Sequence, residues 1–342
     1  MSVLSDIDAR SRAVFGKIVE AYIESGEPVG SRTLSRDSEL NVSPATIRNV
    51  MADLTELGLL HAPHVSAGRM PTETGMRLFV DGLLQIGDLT REEREAIDAS
   101  AGEGAMEDVL AKAASQLSGL THSASLVVAQ KSESALRHIE FIATSPGEAL
   151  VVLVAEDGGV ENRVIKTPVD LPSSALTMAG NYLSSRLRGR TMTEARAEIL
   201  RELTTNRAEL DALTSRLVRE GVADLSGGAE PSLIVRGRGH LLDEATEQDL
   251  ERVRMLFDDL ERKQEVIDLL NAASDGEGVK IFIGSENRLF SLSGSSVIVA
   301  PYRDKSQKIV GALGVIGPTR LNYARVIPIV DYTAEVVTRL LK

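Results

Sequence analysis

The side chains with the most chemistry to offer are Thr46, Arg48 and Asn49. They are three polar residues inside the run Ser43-Pro44-Ala45-Thr46-Ile47-Arg48-Asn49-Val50-Met51-Ala52-Asp53-Leu54. Arginine can donate two parallel hydrogen bonds to the O6 and N7 edge of guanine, and asparagine can pair its amide with the N6 and N7 edge of adenine. Base reading in a DNA groove is therefore the chemistry this triplet could do, provided a helix presents it. The spacing predicts that helix. Ser43 is a favoured N-cap, and Pro44 falls at the first helical position, where its fixed φ and missing donor cost nothing. Ile47, Val50 or Met51, Leu54 and Leu57 recur at i, i+3/i+4 and i+7, which hides one stripe and turns Ala45, Thr46, Arg48, Asn49 and Asp53 outward. Gly58 follows as a residue that tolerates left-handed φ and ends the helix.

The flanking elements must position that face. Residues 9–25 carry Val14, Ile18, Val19, Tyr22 and Ile23 at helical spacing, and Gly26-Glu27-Pro28-Val29-Gly30 stops them. Ser31-Arg32-Thr33-Leu34-Ser35-Arg36-Asp37 is a second, short helix with a capping serine, followed by a turn at 39–42. Helix, short helix, turn and capped helix is the helix-turn-helix order. Two short strands, Leu59-Leu60-His61 and Ser66-Ala67-Gly68-Arg69-Met70, flank Ala62-Pro63-His64-Val65 as a hairpin wing. Ser31, Arg32, Ser43, Ala45, Thr46, Arg48, Asn49, His64 and Arg69 are the expected DNA contacts. Net charge does not decide the matter, because residues 1–80 hold eight Lys and Arg against ten Asp and Glu. The footprint rests on where Arg32, Arg36, Arg48 and Arg69 fall. Three amphipathic helices and a hairpin in a generic α/β module is the competing reading.

Catalysis finds no support in the sequence. There is no G-x-S-x-G, H-E-x-x-H or G-x-x-x-x-G-K-[ST] run. Gly311, Gly314 and Gly317 lie along an apolar strand without a following helix or lysine to receive phosphate, so they read as close-packing or bulge glycines. His61 and His64 lack a third ligand, and no metal or cofactor is expected. Cysteine is absent, which removes disulfide and thiolate chemistry. The first 30 residues do not read as a signal peptide, and no apolar run reaches membrane-spanning length. A cytoplasmic protein is expected. The net charge is −12, most of it beyond residue 80, and should keep DNA away from everything but the wing face.

Residues 87–107, rich in Glu, Ala, Asp and Gly, read as a first boundary. Strands are then predicted over 124–129, 137–142, 149–154 and 160–165, with Asp157-Gly158-Gly159 as a hairpin turn. A later set covers 279–283, 296–300 and 308–316, and a final helix covers 322–341. Strands on either side of a helical block describe one antiparallel α+β domain interrupted by an insertion. That block, 190–278, opens on the capping box Thr191-Met192-Thr193-Glu194. It carries one stripe of Ile199, Leu203, Leu210, Leu213 and Leu217 and another of Leu250, Val253, Leu256, Phe257, Leu260, Ile267 and Leu270. A stripe of this kind can pack on its own sheet or on a second copy, and two of them in a looped-out block tilt the reading toward dimerisation.

Two long motifs give the chain a family likeness. Pro28-Val29-Gly30-Ser31-Arg32-Thr33-Leu34, the Ser43 to Leu54 run and His64-Val65-Ser66-Ala67-Gly68-Arg69-Met70-Pro71-Thr72 stand at one end. Gly311-Ala312-Leu313-Gly314-Val315-Ile316-Gly317-Pro318-Thr319-Arg320-Leu321-Asn322-Tyr323-Ala324-Arg325-Val326-Ile327 stands at the other. Together they resemble the bacterial heat-inducible transcription repressor HrcA family. The resemblance implies an α+β chain with a winged helix-turn-helix domain over 1–88, a GAF-like domain split between 105–189 and 279–342, and a helical inserted dimerising domain over 190–278. It implies a non-enzymatic homodimer, for which the two stripes make Leu203, Leu210, Leu213, Leu217, Leu256 and Leu260 the expected contacts. Such a dimer represses chaperone operons from an inverted-repeat operator and depends on the GroEL chaperonin to stay active. The alternative is a small-molecule-responsive regulator whose GAF-like domain binds a ligand.

Overall fold

The computed structural model describes residues 7–36, 40, 42–64, 67–99, 106–129, 135–156, 160–169, 171–190, 199–204, 215, 218, 231–243, 250–273, 278–290, 293–305 and 307–341. They form a mixed chain of helices and antiparallel sheets, an α+β protein. In order the elements are α1 (Ala9–Ser25), α2 (Ser31–Leu34), α3 (Pro44–Glu56), β1 (Leu60–His61), β2 (Met70–Pro71), α4 (Glu73–Gly82), α5 (Arg91–Ala99) and α6 (Met106–Thr121). Then come β3 (Ala124–Ala129), β4 (Leu136–Ser145), β5 (Glu148–Ala155), β6 (Val160–Lys166), α7 (Ser173–Leu187) and β7 (Ser232–Arg236). The last are α8 (His240–Asp243), α9 (Leu250–Glu261), α10 (Lys263–Ala273), β8 (Lys280–Ile283), β9 (Ser295–Arg303), β10 (Ile309–Pro318) and α11 (Tyr323–Leu340). Among the described residues no helix is long and apolar enough to cross a membrane.

The chain divides into two compact units, one of residues 1–129 and 232–342 and the other of residues 130–231. The first is built on a five-stranded antiparallel sheet in the order β7-β3-β10-β9-β8. Both its faces are covered, which is why its strands read as near-continuous apolar runs rather than alternations. Val127, Ile298, Leu313 and Val315 face a core with Leu110 and Leu117 of α6 and Val326 and Val330 of α11. Leu126, Val128, Val297 and Val299 face Leu256, Leu260, Val266, Ile267 and Leu270 of α9 and α10. Gly314 lets the central strands close up, since a Cβ there would stand 2.2 Å from the Ile298 carbonyl oxygen. Gly311 does the same against Tyr302 and the Val128 carbonyl. These glycines are packing positions.

The first core does not stop at the sheet. Phe15, Ile18, Ile47, Leu54, Met76 and Phe79 from residues 9–79 belong to the same continuous apolar cluster. Polar contacts from α4 reinforce the junction. Arg77 donates through Nε to Glu286 Oε1 at 2.7 Å, pairs with Glu286 Oε2 as well, and donates to the Ile281 carbonyl at 2.6 Å. Glu73 accepts from the Ser285 backbone N–H at 3.0 Å.

The second unit holds the three-stranded antiparallel sheet β4-β5-β6. Helix α7 lies on one of its faces, and Ile139, Phe141, Val151, Leu153 and Ile165 meet Leu176, Leu183 and Leu187 there. Among the described residues its strands pair with one another, with one further bridge from Leu136 to Arg190, and its buried side chains form a separate apolar cluster. The compact units divide the chain at other points than the expected domain bounds. The strands expected over 137–165 as part of the split domain lie in the unit of residues 130–231. The insertion is consequently not purely helical. Its expected C-terminal half belongs to the five-stranded sheet: β7 pairs with β3, and α9 and α10 cover one face. Leu256 and Leu260 are consumed in that face, and Leu203 is buried in the second unit's own core. None of the three offers a free surface to a second copy. Leu210, Leu213 and Leu217 lie outside the described residues, as does the capping box at 191–194.

Candidate nucleic-acid interface

Helix α3 forms where the capping pattern puts it. Ser43 Oγ accepts from the Thr46 backbone N–H at 3.2 Å, and Pro44 occupies the first turn. Ile47, Val50, Met51 and Leu54 are buried in the first unit's core, which fixes how the helix rolls. Ala45, Arg48, Asn49 and Asp53 consequently face outward. The side chains of Arg48 and Asn49 make no hydrogen bond or ion pair with any described residue, so both are available to an external partner. Thr46 is half-buried, and its hydroxyl lies 2.9 Å from that of Ser43. The two hydroxyls act in the cap before they can act on a base. Leu57, expected to continue the buried stripe, is 50% exposed and caps the helix C-terminus instead. The chain has already turned at that point, and Gly58 follows in the left-handed region at φ 71°.

Helix α2 packs beside α3, with Leu34 buried and Arg32 and Arg36 exposed. Ser31 is half-buried at its first turn, where its carbonyl accepts from the Ser35 N–H. The strands of the hairpin, β1 and β2, pair Leu60 with Pro71 and His61 with Met70. His64 is exposed toward the tip.

Arg69, one of the expected DNA contacts, also has partners within the protein. It is half-buried, and its Nε donates to Thr55 Oγ1 at 3.3 Å while a second nitrogen reaches the carbonyls of Ala67 and Gly68. Thr55 in turn donates to the Met51 carbonyl at 2.6 Å. The backbone of Arg69 also bridges Val29, with N–H to carbonyl distances of 2.8 and 2.9 Å. Arg69 thus braces the hairpin against the last turn of α3 and the loop after α1. Gly68 permits the approach, because a Cβ there would stand 2.4 Å from the Val29 carbonyl oxygen. The roles of Thr55 and Gly68 left no mark in the sequence pattern, since threonine in a last turn and glycine in a hairpin are ordinary.

Electrostatically, the junction behind the interface is set by α4. Burial pushes the Glu286 carboxyl upward, but the Arg77 guanidinium and the Ile283 N–H outweigh it and hold Glu286 below the usual glutamate value. Arg77 is raised by the same pairing.

Comparison with known proteins places these features in context. Residues 107–327 match the family described as HrcA protein C terminal domain. A protein of Afipia carboxidovorans named heat-inducible transcription repressor HrcA is 56% identical, covering 99% of this chain and 96% of that protein. One of Bradyrhizobium diazoefficiens with the same name is 57% identical over 99% and 95% of the two chains. Among solved structures, a crystal structure of a hypothetical protein is similar in fold, with a TM-score of 0.61 at 24% identity over 99% of this chain and 98% of that one.

Proposed function

The chain belongs to the heat-inducible transcription repressor HrcA family, and from that premise we propose that it acts on DNA as a homodimer at an inverted-repeat operator. It is a transcriptional repressor of heat-shock genes, a non-enzymatic role. In this reading residues 1–88 are a winged helix-turn-helix domain, α3 is the recognition helix and β1–β2 the wing. The five-stranded sheet with its helices is the GAF-like domain, and residues 130–231 are the inserted dimerising domain. The observation that carries the reading is the pair Arg48 and Asn49. They are adjacent, exposed and uncommitted on a helix whose roll is fixed by four buried side chains. Ser31, Arg32, Ser43, Ala45 and Thr46 border the same face, His64 reaches backbone from the tip, and Arg69 positions the wing.

One recognition helix reads only a few base pairs, too few to find an operator among genomic competitors, so two copies must be coupled. The open face of the β4-β5-β6 sheet supports a second copy as the occupant. Ile142, Leu150 and Val164 stand in one cross-strand row, with Ile142 43% and Val164 64% exposed. An isologous pairing of two such faces would bury the row and impose the two-fold symmetry that an inverted repeat demands. Leu213 and Leu217 remain part of the proposed contact. We place the protein in the cytoplasm with the DNA, its repressing form maintained by the GroEL chaperonin. Footprinting of the purified protein on its own upstream promoter DNA, with and without chaperonin, tests the reading. Protection of two half-sites a whole number of turns apart, restored by chaperonin after heating, is expected. Absence of any protected repeat would overturn it.

A further inference from the structure

A solvent-open cavity of about 270 Å³ lies where the end of α1, the end of α6, α9 and the loop entering α11 meet. Its walls are of two kinds. Tyr22, Ile23, Leu241, Val253 and Val326 supply apolar surface. His122, His240, Arg252, Arg320 and Arg325 bring donors and positive charge against one carboxylate, Glu24. In a chain carrying −12 overall, that is a local reversal of sign.

Each of these groups is held in a distinct way. Arg325 is anchored through Nε to Glu93 at 2.9 Å. Arg320 reaches over the end of α1, where a Cβ on Gly26 would stand 2.5 Å from a guanidinium nitrogen. Glycine at 26 is what admits it. Arg252 makes no hydrogen bond or ion pair with a described residue. His122 sits at φ 48°, a backbone region that non-glycine residues seldom adopt, with its ring edge-on to His240 at 5.7 Å. Ser295 is 4% exposed. Its Oγ lies 3.0 Å from that of Ser293, which also reaches the Phe290 carbonyl at 3.1 Å, so the Ser295 hydroxyl keeps capacity for a further hydrogen bond. Asn322, which caps α11, and Arg325 and Val326 of its first turn line the same space.

We propose that this cavity binds a small organic acid with an apolar body and an oxyanion head. Its head would be met by Arg252, Arg320 and the Ser295 hydroxyl, and its body by Tyr22 and Val253. The volume lies just below the usual range for ligand pockets, roughly 300–1,000 Å³, which restricts the occupant to a small one. Because α1 supplies one wall and also carries Phe15 and Ile18 into the shared core, the ligand rests on the DNA-binding module.

Titration calorimetry of the full chain with phenylacetate and with phenyl phosphate tests it, with phenylethanol as the uncharged control. Saturable binding at one site is expected for at least one charged probe and none for phenylethanol, and the tighter probe identifies the head as carboxylate or phosphate. Arg252→Ala and Ser295→Ala should each weaken binding, by about tenfold for the charged contact. The thermal midpoint of Arg252→Ala should be unchanged, since that side chain is exposed. Lack of saturation by either probe, equal binding of phenylethanol, or parent-like affinity in both variants would overturn the assignment.

Discussion

Arg77 of α4 and Glu286, 209 residues apart in sequence, form a two-point ion pair that ties the N-terminal module to the edge of the five-stranded sheet. The pair shares Arg77 with the Ile281 carbonyl and shares Glu286 with the Ile283 N–H. The module that offers Arg48 and Asn49 is therefore fastened to the rest of the first unit rather than tethered by a linker.

Acid should undo this fastening. The Glu286 carboxyl is held below the ordinary glutamate value of 4.5, so its contribution is complete above that pH and is lost as pH falls through the lowered folded value. Glu93 follows the same course. Burial raises it, but the Thr90 N–H and Arg325 outweigh burial and leave it lowered. The thermal midpoint should fall as pH drops below about 4.5, and Glu286→Gln should start lower at neutral pH and lose less on acidification. Parallel acid profiles for parent and variant would remove the pair from the stability balance.

Arg69 should act by geometry more than by charge. Arg69→Ala should weaken binding to operator and random DNA alike, because the hairpin is released from Thr55 and Val29. Arg69→Lys keeps the charge but not the guanidinium fork, so its affinity should stay near that of Arg69→Ala. Full recovery of affinity by lysine, with the salt slope restored by about one unit, would return Arg69 to a phosphate contact.

Gly68→Ala places a methyl against backbone at Val29, where nothing flexible can yield. A loss of roughly 1–3 kcal/mol of stability is expected from such overpacking, read by denaturant unfolding. A neutral substitution would mean that the loop after α1 moves freely away from the hairpin.

Charging the open sheet face should separate the copies. Ile142→Asp with Val164→Asp would bury unpaired charge only in a paired state, so sedimentation should show monomers with an intact circular dichroism spectrum and weakened operator binding. An unchanged dimer would move the contact elsewhere in the second unit.

Much of helix α3 was legible in the sequence because local chemistry fixes it. Ser43, Pro44 and Gly58 act within one helix, and Ile47, Val50, Met51 and Leu54 declare its buried side by spacing alone. The five-stranded sheet was partly legible for the same reason, its covered faces giving continuous apolar strands. The boundary of the inserted unit was not. Strands β4 to β6 look like β3 in composition, and only hydrogen-bond partners distinguish one sheet from another. Likewise Leu256 and Leu260 form an amphipathic stripe whether the surface they meet is their own sheet or a second copy. The partners of Arg69 and Arg77 were invisible because each is set by tertiary contacts.

The base-reading role of Arg48 is the central claim, and competition binding at fixed salt tests it most directly. Arg48→Ala should cost about 1–3 kcal/mol on the operator and little on random DNA, with Asn49→Ala showing the same selectivity at a neighbouring base pair. Equal losses on operator and random DNA would contradict base reading and leave Arg48 as a backbone contact.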